Sequence, residues 1–294
     1  INNIHHLDIW NKFWKNKKKH NVYIHPKKEL KQPELEKYKI DNIVPTMWGD
    51  ISLVEAYIML LDEALKDKDN YKFILCSDSC IPIKSYDVIY DTLINNNYSY
   101  VTNNKKDLTR RYNSLDNPDR IIKKEEYLKS SQWVIVSREA AEILVNTYAK
   151  YIPIFRGSLI PDEHYVATVL FKEFRNNYKN KISNEISTLV DWERGTRDSR
   201  HPYTFDKIIK KDFNLLRNTC SLFARKFSPE SDINTFIDDI WKYGKCTILG
   251  EICNRKLEEI GQGYTSRVYL TKNNGHEYIL KIIALLKTKS LRIK

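Results

Sequence analysis

Short apolar runs rich in β-branched and aromatic residues alternate along this chain with longer segments whose apolar residues recur at helical spacing. That alternation constrains the fold more than any other feature. Asn21–Pro26 is one such run, closed by its proline. Ile51–Leu65 places Leu53, Val54, Tyr57, Ile58, Leu61 and Leu65 at helical spacing, with Asp50 suited to cap the helix. Tyr71–Cys76 reads as a strand with Ser77–Ser79 as its exit loop, Tyr86–Ile94 as a helix, Trp133–Val136 as a strand and Arg138–Tyr148 as a helix. Strand and helix alternating in this way predict an α/β domain with a largely parallel sheet flanked by helices. Ligands bind such sheets beyond the carboxyl ends of the strands. The loops His25–Lys28 and Cys76–Cys80 therefore lie on the expected binding edge. The polar stretches Asn103–Asp119, with Arg110 and Arg111, and Asn176–Asn184 read as surface loops.

Composition narrows the classes. With 294 residues, 41% of them hydrophobic, the chain has the material for a core, which excludes global disorder. Lys and Arg outnumber Asp and Glu by 49 to 38, a net charge of +11. Such an excess attracts anions in general. The basic residues are spread through the chain without a nucleic-acid-binding motif, so nucleic acid is not an expected partner. The five cysteines include no C-x-x-C pair, which removes a zinc ribbon, and Cys76 and Cys80 are expected to be free, partly buried thiols. His5, His6, His20 and His276 show no metal-ligand spacing. No apolar run approaches the ~18 residues of a membrane span. Glycine is scarce, and three of the eight fall between Gly261 and Gly275, a local shift that places a boundary near residue 244 and divides the chain into 1–243 and 244–294.

Several segments, in order and spacing, resemble the core-2/I-branching N-acetylglucosaminyltransferase family from about Trp10 to Trp241. They are Val22–Lys27, Trp48–Ala56, Leu75–Lys84, Ser131–Trp133, Pro161–His164, Val190–Trp192 and Leu222–Phe227. The resemblance implies a GT-A-like, Rossmann-like fold. It also implies transfer of a sugar, N-acetylglucosamine or xylose foremost, from a UDP-sugar to a hydroxyl of a glycan or glycoprotein, with inversion and without a catalytic metal or other cofactor. The only D-x-D, Asp67-Lys68-Asp69, precedes a strand rather than following one, and the exit loop where a diphosphate metal would sit holds a single acid, Asp78.

Displacement at an anomeric carbon needs a base for the acceptor hydroxyl and positive charge for the leaving diphosphate. By the resemblance, the base in the P-D-E motif falls on Glu163, at the start of a helix expected near Asp162. The phosphate-binding lysine of the L-F-A-x-K-F motif falls on Lys226, with Arg225 beside it. A further family arginine falls on Arg200, with Arg197 and Arg217 as alternatives. Trp192 matches the tryptophan that stacks on the acceptor sugar, against a buried structural role. Asp78 is a donor or acceptor contact or a loop cap, and His25 and Lys27 border the nucleotide. Relatives carry a further N-terminal strand before the segment matching Asn2–Trp10, several disulfides and a secretory-membrane anchor. None of these is evident here, so a fragment or damaged copy that binds donor or glycan without turnover is the alternative expectation.

The tail has its own motif. Gly261, Gly263 and Ser266 occupy the glycine positions of a sequence that resembles the protein-kinase glycine-rich loop, followed by Val268 and by Lys281 where the kinase lysine would stand. The expectation is the opening strands of a truncated, inactive kinase-like lobe, with an unrelated β-hairpin as the alternative.

Overall fold

A computed structural model of the chain describes residues 1–104, 108–116, 118, 121–195, 201–243, 258–262, 266–273 and 276–283. It divides into two compact units, Ile1–Gly244 and Lys245–Lys294.

The first unit opens with helix α1 (Leu7–Trp14) and the long helix α2 (Ser52–Leu65). Asp50 sits at the entry to α2, its Oδ1 accepting from Ser52 N–H at 2.9 Å. Strands β1 (Lys72–Ile74) and β2 (Ile81–Pro82) flank the Cys76–Cys80 loop, and helix α3 (Tyr86–Ile94) leads to β3 (Ser99–Tyr100). The short helix α4 (Thr109–Tyr112) precedes β4 (Ile135–Ser137), α5 (Arg138–Asn146), α6 (Tyr148–Phe155) and α7 (Tyr165–Phe174). Ser137 caps α5 by accepting from Ala140 N–H at 3.3 Å. Then come α8 (Tyr178–Lys181), β5 (Ile182–Ser183), β6 (Thr188–Val190), α9 (Lys210–Asn218), β7 (Phe223–Arg225) and α10 (Ile237–Tyr243).

Two small sheets result, β1-β4-β3-β5 and β2-β7-β6. The α/β class stands, while the ladders are mixed rather than mostly parallel. β4 runs antiparallel to both β1 and β3, and β2 antiparallel to β7; the parallel ladders are β3–β5 and β6–β7. Hydrophobic period identifies a strand but says nothing of its direction, which depends on how the chain returns to the sheet. Asn21–Pro26 makes a single parallel bridge, Ile24 to Lys39, and no ladder.

The main core lies where α2, α5 and α7 meet the first sheet, around Leu61, Val136, Leu144, Phe155, Tyr165 and Leu170. A second cluster joins α1 to β2, β7, α9 and α10 through Ile9, Ile81, Ala224, Leu216 and Ile240. Two stretches expected as surface loops are partly core. Tyr112 and Leu115 are buried in the first cluster, and Tyr178 and Ile182 join them. Polar neighbours masked isolated apolar anchors in both.

In the second unit β8 (Glu258–Gln262), β9 (Ser266–Asn273) and β10 (His276–Ile283) form an antiparallel sheet in the order β10-β9-β8. Gly261 lies in β8, opposite Val268 of β9, and Val268 is in turn opposite Lys281 of β10. Gly263 lies outside the described residues.

Candidate active site

The register of the second sheet brings distant motifs together. β2 and β7 pair with Ile81 opposite Ala224, so the Ser77–Cys80 turn lies beside the residues that follow β7. Phe227 N–H donates to Ser79 O at 3.1 Å across that junction. β6 runs parallel to β7 with Val190 opposite Arg225, which puts Trp192 and Lys226 just past the same carboxyl end. Asp78, Arg225, Lys226 and Trp192 therefore border one edge.

Each has a distinct setting. Lys226 is half-buried and has no carboxylate partner among the described residues. The Arg225 guanidinium lies 4.2 Å from the centre of the Trp133 ring. Its Nε is buried without a hydrogen-bond partner. Burial presses its pKa below the usual arginine value, against the pull of Cys80 and Asp78. Trp192 is 58% exposed, so the buried structural role is set aside. Its neighbour Asp191 is buried and salt-bridged to Arg194 at 2.6 Å, and Arg194 in turn grips Asp212 of α9 at 2.5 Å. Arg194 also covers the Tyr203 ring at 3.9 Å. This knot fixes the base of the loop that presents Trp192.

The turn that carries Asp78 is held from beneath. Cys76 and Cys80 are free thiols, as expected, and Cys80 is buried with its Sγ accepting from Ser77 N–H at 3.2 Å. Asp78 O accepts from His5 N–H at 3.0 Å. A cavity of about 670 Å³ opens beside the turn, walled by Trp14, Tyr23, Phe73, Cys76, Ser77 and Tyr86. His25 is buried, and its Nε2 accepts from Val44 N–H at 3.0 Å, so the imidazole holds a loop together rather than facing a ligand. Lys27 is exposed. Arg200 and its alternative Arg197 lie outside the described residues.

Glu163 ends a 3₁₀ turn, Pro161–Glu163, with α7 starting only at Tyr165, three residues later than the motif suggested. Ile160 precedes the turn at φ 54°, a left-handed conformation costly for a β-branched residue. Glu163 Oε2 meets two cations, Arg111 Nη1 at 3.0 Å and Lys129 Nζ at 3.1 Å. No described residue donates a hydrogen bond to Oε1. The Glu163 carbonyl accepts from Ser130 N–H at 2.7 Å. From Ser130 the segment to Trp133, at most about 10 Å long for three residues, leads to the ring under Arg225. The acid and the cation edge thus share one tether.

Two neighbours of Glu163 carry shifted pKa values. Burial, and then the charge of Glu163, raises Asp162 to about 6. His164 is fully buried, and burial pushes it down to about 4. Arg111, Lys129 and His164 drew no role from sequence. Arg111 sits in a stretch whose polarity read as loop, and only the T-R-R-Y helix turn hinted otherwise.

The described residues contain no group of three or more His, Cys, Asp or Glu side chains placed to hold a metal ion. No described helix is long and apolar enough to cross a membrane.

An α/β scaffold that gathers a carboxylate, two cations and an exposed tryptophan at strand ends has the layout of a site for a polar, anionic ligand. The family model for the Core-2/I-Branching enzyme matches residues 2–217, and the chain belongs to that family. It is also similar to a rice protein (Oryza sativa subsp. japonica) named Glycosyltransferase BC10, at 28% identity over 245 residues, which cover 65% of this chain and 60% of the rice protein. The chain thus spans under two thirds of that relative's length.

Proposed function

We propose that the chain is an inverting, metal-independent glycosyltransferase. It moves a sugar, N-acetylglucosamine or xylose foremost, from a UDP-sugar to a hydroxyl of a glycan or glycoprotein acceptor. The observation that carries this reading is the state of Glu163: Oε2 is held by Arg111 and Lys129, while no described residue donates a hydrogen bond to Oε1. A carboxylate fixed through one oxygen is oriented to take a proton with the other. In the proposed step the acceptor oxygen loses its proton to Glu163 and attacks the anomeric carbon as the bond to the diphosphate breaks. Lys226 and Arg225, with Arg200 proposed beside them, balance the charge on the departing diphosphate. Arginine offers a planar fork to phosphate oxygens and lysine a point charge. The single acid of the exit loop, Asp78, is a weak donor set for a divalent cation, which needs several oxygens. The cavity beside Ser77 falls in the size range of a small-ligand site and supports nucleotide binding there. Exposed Trp192 offers a face for an acceptor sugar.

Glu163→Gln should abolish transfer while sparing UDP binding, and turnover should survive EDTA. Retained transfer in Glu163→Gln, or loss in EDTA, would reject the mechanism. Donor or glycan binding without any turnover would favour a non-catalytic relative. For residues 244–294 the reading remains a kinase-like N-lobe opening, supported by the antiparallel register that sets Gly261, Val268 and Lys281 side by side. A solution structure in which Val268 and Lys281 are not cross-strand neighbours would end it.

A further inference from the structure

The Glu163 contacts extend one residue further than the proposed reaction requires. His164 Nδ1 lies 2.8 Å from Leu128 O, an acceptor only, so Nδ1 must carry the proton and donate. The neutral ring then presents a lone pair at Nε2, and Arg111 Nη1 stands 2.8 Å from it. The same Nη1 donates to Glu163 Oε2 at 3.0 Å. One guanidinium nitrogen, with its two protons, is thus shared between the imidazole and the carboxylate. The ring cannot easily turn, being fully buried and stacked on Tyr127 at 4.6 Å with an interplanar angle of 8°.

We propose that His164 is a positioning residue: through its neutral Nε2 it holds Arg111 against Glu163 Oε2 and so fixes the orientation of the carboxylate. Arg111 by itself is a long side chain on a four-residue helix, with many rotamers to lose. A buried acceptor aimed at Nη1 removes that freedom before substrate arrives. Burial also keeps the imidazole neutral, so Nε2 retains the lone pair that accepts from Arg111 and the ring adds no charge to repel the guanidinium. This rests on the reading of Glu163 as base, and the test separates the two.

The test compares full-length His164→Phe, which keeps the ring on Tyr127 but loses both hydrogen bonds, with His164→Gln, whose amide oxygen can still accept from Arg111. In UDP-sugar turnover, His164→Phe should lower kcat about 10- to 100-fold, with the donor KM within about twofold, and His164→Gln should recover most of the loss. Adding His164→Phe to Arg111→Met should cost nothing further, since the clamp is already gone. Multiplicative losses, an unchanged kcat in His164→Phe, or equal damage from Phe and Gln in folded proteins would overturn the proposal. If Glu163→Gln also keeps turnover, the base assignment fails instead. A readout independent of turnover is the 15N resonance of His164. It should report the Nδ1–H form and a hydrogen-bonded Nε2 that shifts in Arg111→Met. An unmoved resonance would sink the clamp even if no active donor were found.

Discussion

At the scale of single residues, Asp162 and His164 give adjacent and opposite pH dependences. Asp162 is raised to about 6 in the folded protein, against ~3.9 for an unperturbed carboxyl. Its contribution to stability is therefore full below ~3.9 and is lost as pH rises through about 6. His164 is lowered to about 4, against ~6.5 unperturbed. Its contribution is full above ~6.5 and is lost as pH falls through about 4. The two nearly offset between those limits, so each is hidden by the other. Asp162→Asn should make urea stability fall more steeply on acidification from about pH 6.5 to 4, by on the order of 1–3 kcal/mol. His164→Gln should tilt the curve the other way, with stability rising on acidification. Parallel profiles for both variants and the parent would show that neither shift exists.

At the scale of elements, the Trp192 loop depends on a buried charge knot rather than on apolar packing. Arg194 bridges Asp191, just past β6, to Asp212 in the first turn of α9, and both acids are buried. Removing one partner of such a group strands uncompensated charge, which costs about 3–5 kcal/mol. Arg194→Ala should therefore lower the unfolding free energy measured by urea denaturation by that amount. Arg194→Ala with Asp212→Asn should recover part of the loss, because one stranded charge is gone. A loss below about 1 kcal/mol, the range of exposed pairs, would mean that solvent reaches the knot. The elements themselves were largely readable: α2, α3 and α5 lie within a residue or two of the helical stripes in sequence, because amphipathic period is a local property. α7 began later than the P-D-E motif suggested. Proline fixes the first turn, but Ile160 and the 3₁₀ geometry displace the α-helical start to Tyr165.

At the scale of the whole molecule, the excess of basic residues is spread along the sequence without a nucleic-acid-binding motif. Part of it is neutralised locally, as where Lys172 pairs with Glu126 at 2.6 Å and Lys181 with Glu139 at 2.6 Å. Lys226 is left without a carboxylate partner among the described residues, which suits it to an anionic ligand. UDP affinity should accordingly weaken modestly as sodium chloride is raised through the physiological range, since salt still screens a half-buried cation in part. Affinity indifferent to salt, measured by calorimetry, would place the diphosphate away from these cations. By itself the sequence determined the α/β class and the helical stripes, because each depends on residue type and local spacing, while Glu163, Lys226 and Trp192 became candidates through the resemblance of their motif segments to a known family. Only the tertiary structure decided strand direction, which loops converge, that His25 serves its own loop, and that Arg111, Lys129 and His164 surround Glu163. Those facts depend on side chains from separate elements meeting across the fold, and no local period in the chain encodes such a meeting.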